Sequence, residues 1–452
     1  MKLFKMISFS LLFIMIVLVV LNAPKLKLIS GFAAKNLASS YFIAHRSVEM
    51  TNKTDNHGPL TKLANSNIDE KSKTAFSTVF GFAKETAVYR EGVGAILINK
   101  DTILGDDYLR PKRDFTPIQV QYPYGNLAPK DSVFNNVNYQ SIKEVINNCF
   151  TENHDHHIKN TRAVLVLYKG KIIAEKYADG FNENSLLQGW SITKSLLTTC
   201  FGILEKENKF DIYKPIKAFP EWLKDDRKNI TTNHLLRMES GLEWEENYST
   251  ICDATRMLFE DSDLTKRPLS KKQTQPAETE FNYSSGTSNI LSALLRKQFN
   301  THQEYLDFPY REFIDKIGMH SMIMETDIMG NYVASSYSWA TTRDWAKFGQ
   351  LMLDNGKWNN EQIVTKKWID YIKTPNKTSL GEYGGHWWLN QGNYMPNVPK
   401  DCFYADGFQG QRIFVIPSKD LVVVRFGVTE LQRIGFYTMF DHLLGTICKS
   451  IQ

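Results

Sequence analysis

AVLVLYKGKIIAEKY, residues 163–177, and SITKSLLTTCFGILEKE, residues 191–207, decide the reading of the fold. In the first stretch two runs of β-formers flank Lys169-Gly170-Lys171, a pattern that predicts a hairpin. In the second, Ile192, Leu196, Thr199, Cys200 and Ile203 recur at helical spacing, so a helix opens at Ser191. Towards the C-terminus, residues 413–416 and 421–426 are apolar runs separated by Ser418-Lys419-Asp420, a second hairpin. Phe436, Met439, Phe440, Leu443, Leu444 and Ile447 then share one face of a closing helix. Residues 210–385 read mostly as helix and loop. Strands at both ends with helices between them imply an α+β fold: an antiparallel sheet flanked by helices, with an inserted mostly helical domain. We place this domain at residues 159–452, its helical part at about 210–385.

The remainder lies upstream. Lys2 and Lys5 precede an uncharged run over residues 6–23 whose core, Leu11 to Leu21, is wholly apolar. Residues 1–23 therefore read as a signal peptide or an uncleaved signal-anchor helix, with the rest exported. Pro24 after Leu21-Asn22-Ala23 disfavours cleavage there. Residues 24–158 form an N-terminal extension. Its small, apolar stretch 28–45 suggests a helix against the membrane or the domain, and its polar stretch 50–76 a linker or long surface loop. TAVYREGVGAILIN, residues 86–99, suggests extra strands, and residues 100–140 look irregular. Hydrophobic residues make up 42% of the 452 and charged ones 23%, a globular balance. The net charge of +5 is interspersed along the chain, which argues against nucleic acid as a partner. Cys149, Cys200, Cys252, Cys402 and Cys448 are widely spaced and odd in number, and read as buried thiols rather than a disulfide framework. His154-Asp155-His156-His157 cannot easily converge on one ion, so no metal site and no cofactor is expected.

Ser191 and Lys194 form the chain's only Ser-x-x-Lys. Residues i and i+3 share a helix face, so the lysine reaches the hydroxyl. First-turn N–H groups lack intrahelical partners and favour negative charge, as on an attacked carbonyl. A lysine in a dry cleft loses proton affinity and can serve as base to the serine. Taken alone, the motif also fits a serine N-cap followed by a surface lysine.

Several stretches together resemble the β-lactamase-like serine hydrolases, in the branch of class C β-lactamases, esterases, D-amino-acid peptidases and nylon-oligomer hydrolases. They are residues 189–195 (GWSITKS), 230–242 (ITTNHLLRMESGL), Tyr283-Ser284-Ser285, 315–319 (DKIGM), 340–349 (ATTRDWAKFG) and 405–411 (ADGFQGQ). The likeness spans roughly residues 160–450, in order. It implies Ser191 as nucleophile, Lys194 and Tyr283 in proton transfer, and the backbone N–H groups of Ser191 and Phe408 as oxyanion hole. It also implies Ser285 and Gly407 at the substrate. Gly384-Gly385-His386-Trp387-Trp388 resembles a landmark near the cleft, its aromatics lining the pocket or packing in the core. One departure concerns the third motif, where the family carries Lys or His, then Thr or Ser, then Gly. Here Ala405-Asp406-Gly407 stands, without the cation that would grip a substrate carboxylate. Arg412 is an odd number of residues from Ala405 and should point to the other face. The resemblance thus implies a serine hydrolase of small esters or amides. A peptidoglycan D-amino-acid carboxypeptidase or β-lactamase, and a catalytically silent cell-wall-binding protein, are the alternatives.

Overall fold

The computed structural model describes residues 2–98, 108–152 and 159–452, without the side chains of residues 2, 3, 5, 8 and 10–21. It divides into two compact units. The first holds residues 1–90, 94–105 and 245–264; the second holds the rest. The His154-Asp155-His156-His157 stretch and the apolar side chains Leu11 to Leu21 lie outside the described residues. Among the described residues no helix is long and apolar enough to cross a membrane, and no three metal-type side chains cluster.

In the first unit a long helix, α1 (Lys2–Phe42), lies along a four-stranded antiparallel sheet. Its strands are β1 (Ala64–Asp69), β2 (Thr74–Val79), β3 (Phe82–Arg90) and β4 (Gly94–Ile98), in sequence order. The small residues of the 28–45 stretch explain the packing. Ala33, Ala34 and Ala38 on the helix and Ala75, Ser77 and Val79 on β2 are all buried, and small residues let the two elements pack closely. A Cβ on Gly31 would stand 2.1 Å from the Phe259 carbonyl oxygen. The polar stretch 50–76 is not a loop but contains β1 and the start of β2. The edge strand β1 hides from pattern reading because Ser66 alone is buried, its hydroxyl 3.0 Å from that of Ser77.

The second unit is built on a six-stranded antiparallel sheet. In chain order the elements that frame it include the helix α2 (Tyr139–Phe150), β5 (Thr161–Tyr168), β6 (Lys171–Tyr177) and the helices α3 (Ile192–Lys206), α4 (Ser285–Arg296) and α5 (Thr342–Leu353). β7 (Trp388–Leu389), β8 (Phe403–Gly407), β9 (Gln411–Ile416), β10 (Leu421–Gly427) and the helix α6 (Arg433–Lys449) follow. The strand order is β7-β8-β9-β10-β5-β6. β5 is apolar from Ala163 to Tyr168 because both faces are covered. Ala163, Leu165 and Leu167 join an inner cluster with α3 and α5, while Val164, Val166 and Tyr168 join an outer one with α2 and α6.

Two expected boundaries are corrected. Residues 24–158 are not one extension, since α2 buries Ile142, Val145, Ile146 and Cys149 in the outer cluster of the second unit. The helical part is not continuous either: residues 245–264 belong to the first unit, where the helix Asp253–Phe259 packs on α1. All five cysteines are buried free thiols.

Candidate active site

Ser191 caps the N-terminus of α3. Trp190 before it adopts φ 48°, a left-handed backbone unusual for a bulky side chain. The surroundings over-determine that turn. The Gly189 N–H donates to the Ser338 carbonyl at 2.8 Å. Thr193 Oγ1 donates to the Trp190 carbonyl at 2.7 Å and lies 2.5 Å from Ser338 Oγ. The Trp190 ring packs against Tyr337 and Phe408, with centroids 5.9 and 5.6 Å apart. Gly189 has to be glycine, because a Cβ would meet the Trp345 ring at 2.8 Å.

Lys194 is 2% exposed. Its ammonium donates to Ser191 Oγ at 2.9 Å, Ser285 Oγ at 3.1 Å and the Ser335 carbonyl at 2.9 Å. All three acceptors are neutral. The third is held by Asn289 on α4, whose Oδ1 accepts from the Ser335 N–H at 3.2 Å. The ammonium also stands 4.8 Å from the centre of the Tyr283 ring. Tyr283 in turn packs on Trp388 at 5.3 Å and Tyr383 at 6.0 Å. The fold thus gathers Ser191, Lys194, Tyr283 and Ser285 from stretches more than 80 residues apart.

β8 closes the other side. A Cβ on Gly407 would lie 2.2 Å from the Gly189 carbonyl oxygen, so glycine is what lets the strand end approach the turn before Ser191. Phe408 follows, in a turn secured from below. Gln411 Nε2 donates to the Phe408 carbonyl at 2.9 Å, and Arg425 donates to the Gly410 carbonyl at 3.1 Å. The strand register pairs Asp406 with Arg412 and Ala405 with Ile413. Ala405 faces the inner cluster with no exposed surface, and Arg412 forms an ion pair with Asp406 on the opposite face, as the odd spacing required. Burial pushes the Asp406 carboxyl up to about 6, against the pull of Arg412 and Lys194, although 23% of its side chain stays exposed.

The Gly384-to-Trp388 landmark divides. Trp387 is a fully buried core ring, whereas Trp388 is half-buried beside Tyr283. His386 was not singled out by sequence, yet it ties the helices of the site together. Its Nδ1–H donates to the Leu236 carbonyl at 2.8 Å, which leaves Nε2 to accept from Ser288 on α4 at 3.0 Å. Its own carbonyl accepts from Ser195 on α3 at 2.8 Å. Burial drives its imidazole down to about 3, so it is neutral. Asn289 and Ser335 also escaped sequence reading, one being buried helix and the other acting through its backbone. Arg425 had a signal in the single charge within LVVVRFG, residues 421–427.

The chain is similar to known proteins. The β-lactamase family model matches residues 146–427. A 6-aminohexanoate-dimer hydrolase of Paenarthrobacter ureafaciens is 24% identical over 293 residues, 59% of this chain and 72% of that protein. Among solved structures, a candidate 6-aminohexanoate-dimer hydrolase from Bacillus anthracis superposes with a TM-score of 0.55 at 20% identity, covering 74% of this chain and 84% of that one. EstCE1, a hydrolase with promiscuous acyltransferase activity, gives 0.56 at 14% identity, covering 69% and 99%. A class C β-lactamase gives 0.53 at 15% identity, covering 69% and 96%. The fold is that of the serine β-lactamases and penicillin-binding proteins.

Proposed function

The chain belongs to the β-lactamase family of hydrolases, and from that membership we propose that it cleaves uncharged esters or amides through an acyl-enzyme on Ser191. The observation that carries this reading is the buried Lys194 ammonium 2.9 Å from Ser191 Oγ. In the neutral form, Lys194 Nζ takes the Ser191 proton over that contact while Oγ bonds to the substrate carbonyl carbon. The oxygen that gains charge sits between the N–H groups of Ser191 and Phe408. Collapse expels the alcohol or amine, which takes a proton from Lys194 or Tyr283. Water then cleaves the acyl-enzyme by the same route. Ser285 keeps the ammonium aligned between these steps.

The substrate class follows from β8. A carboxylate entering the cleft loses hydration, which is costly unless a cation replaces it. Position 405 offers alanine, Asp406 is an acid, and Arg412 is taken by Asp406. Neutral esters and amides are therefore favoured over β-lactams and peptides ending in a carboxylate. The comparison that tests it is kcat/KM for a neutral ester, a neutral amide, a cephalosporin and a D-alanyl peptide. Cephalosporin turned over as fast as the neutral substrates would contradict it.

We assign the start of α1 to a membrane, with the hydrolase exported. Phe4, Met6, Ile7 and Phe9 are all exposed apolar side chains, and the uncharged run continues from them. Cell fractionation tests the assignment, and full-length protein in the cytosol would refute it.

A further inference from the structure

We propose that the end of the first unit's sheet bearing Leu60, Leu63, Phe80 and Phe82 seats on an anionic lipid bilayer, the one α1 enters; this rests on the membrane assignment above. The strand register gathers these residues. Ala64 at the start of β1 pairs with Val79, and Val79 pairs with Phe82 across the β2–β3 turn. Leu60 is 51% exposed, Leu63 38%, Phe80 70% and Phe82 54%, so four large apolar side chains stand in water at one end of a small sheet. Phe80 even holds a left-handed φ of 53° at the tip of the turn.

The course of α1 leads to the same end. Near its C-terminus Phe42 stacks on Tyr89 at 5.2 Å. A Cβ on Gly31 would stand 3.5 Å from Leu97, whose strand partner is Ala87. Lys27 is close enough to act on the charge of Glu85. Followed backwards, the helix moves along β3 from Tyr89 towards Phe82. Before Leu28 no described residue of α1 is buried, so its N-terminal part leaves the unit past the apolar edge.

The charge around this edge selects the lipid. Lys25, Lys27, Lys62 and Lys84 are exposed there, and residues 22–30, 56–66 and 76–84 contain no Asp or Glu; Glu85, within reach of Lys27 and Glu260, is half-buried, as is Glu260. Aromatic rings with lysines beside them suit the headgroup zone of a negatively charged leaflet. A second copy of the chain fits poorly, because two such edges would bring like charges together.

The test uses the full chain reconstituted in vesicles of phosphatidylcholine alone or mixed with phosphatidylglycerol. A polarity-sensitive dye is attached to Phe82→Cys, or to Ser72→Cys at the opposite end of the sheet; the five native thiols are buried and spared. We expect doxyl-labelled lipid to quench the dye at residue 82 about twofold or more beyond that at residue 72, and the difference to grow with phosphatidylglycerol. Equal quenching at both positions on vesicle-bound protein overturns the seating and leaves the anchor standing. Protein that stays off the vesicles overturns both.

Discussion

In the proposed mechanism, acylation turns on Lys194 and substrate selection on Asp406. The Lys194 ammonium donates to the neutral oxygens of Ser191, Ser285 and Ser335. Lys194→Arg should lose activity almost as fully as Lys194→Ala, on the order of 10³-fold or more in acylation rate, because a guanidinium does not release its proton. Single-turnover labelling measures this, and an active Arg variant would show that position 194 supplies charge alone. Asp406 gives a pH signature. Its carboxyl stands at about 6, above the ordinary carboxylate value. The fold thus favours its neutral form, and that contribution to stability is full below the unfolded value and lost as pH rises through about 6. Selectivity for neutral esters over carboxylate-bearing ones should widen over the same interval, as the acid ionises and repels the second class. Asp406→Asn should flatten the pH dependence of that ratio. An unchanged slope in the variant would remove Asp406 from substrate selection.

At the scale of elements, the turn after β8 carries the oxyanion assignment. Gly407→Ala pushes a methyl group to 2.2 Å from the Gly189 carbonyl oxygen, so the strand end and the turn before Ser191 must part. We expect on the order of a hundredfold loss in kcat with the fold retained, since small displacements at reacting atoms have that effect. A Gly407→Ala enzyme with normal kcat would show that the approach is dispensable. Elements were legible in the sequence where apolar runs flanked a turn or helical spacing dominated. The hairpins β5–β6 and β9–β10 lie where the runs placed them, and the helix at Ser191 and the closing α6 lie where 3.6-residue spacing did. β1 was not legible, because ANSNID places polar residues on an edge strand with one buried serine. The side chains proposed for catalysis were legible through Ser-x-x-Lys and Tyr-x-Ser, which are local patterns. His386, Asn289 and the Ser335 carbonyl were not, because they act through packing and backbone contacts made only after folding.

On the scale of the whole molecule, a family hydrolase unit and a smaller helix-on-sheet unit share one chain. Every residue of the proposed site lies in the former, and the mechanism proposed for it invokes no metal. Chelators should therefore leave turnover unchanged, whereas loss in EDTA restored by zinc would revive the histidine stretch at residues 154–157. The most direct test of the account is intact-protein mass spectrometry after exposure to a fluorophosphonate and to activated neutral esters. One adduct per chain is expected, mapped to Ser191 and absent from Ser191→Ala. An adduct of the same mass on the Ser191→Ala protein, or none on the native one, would contradict it.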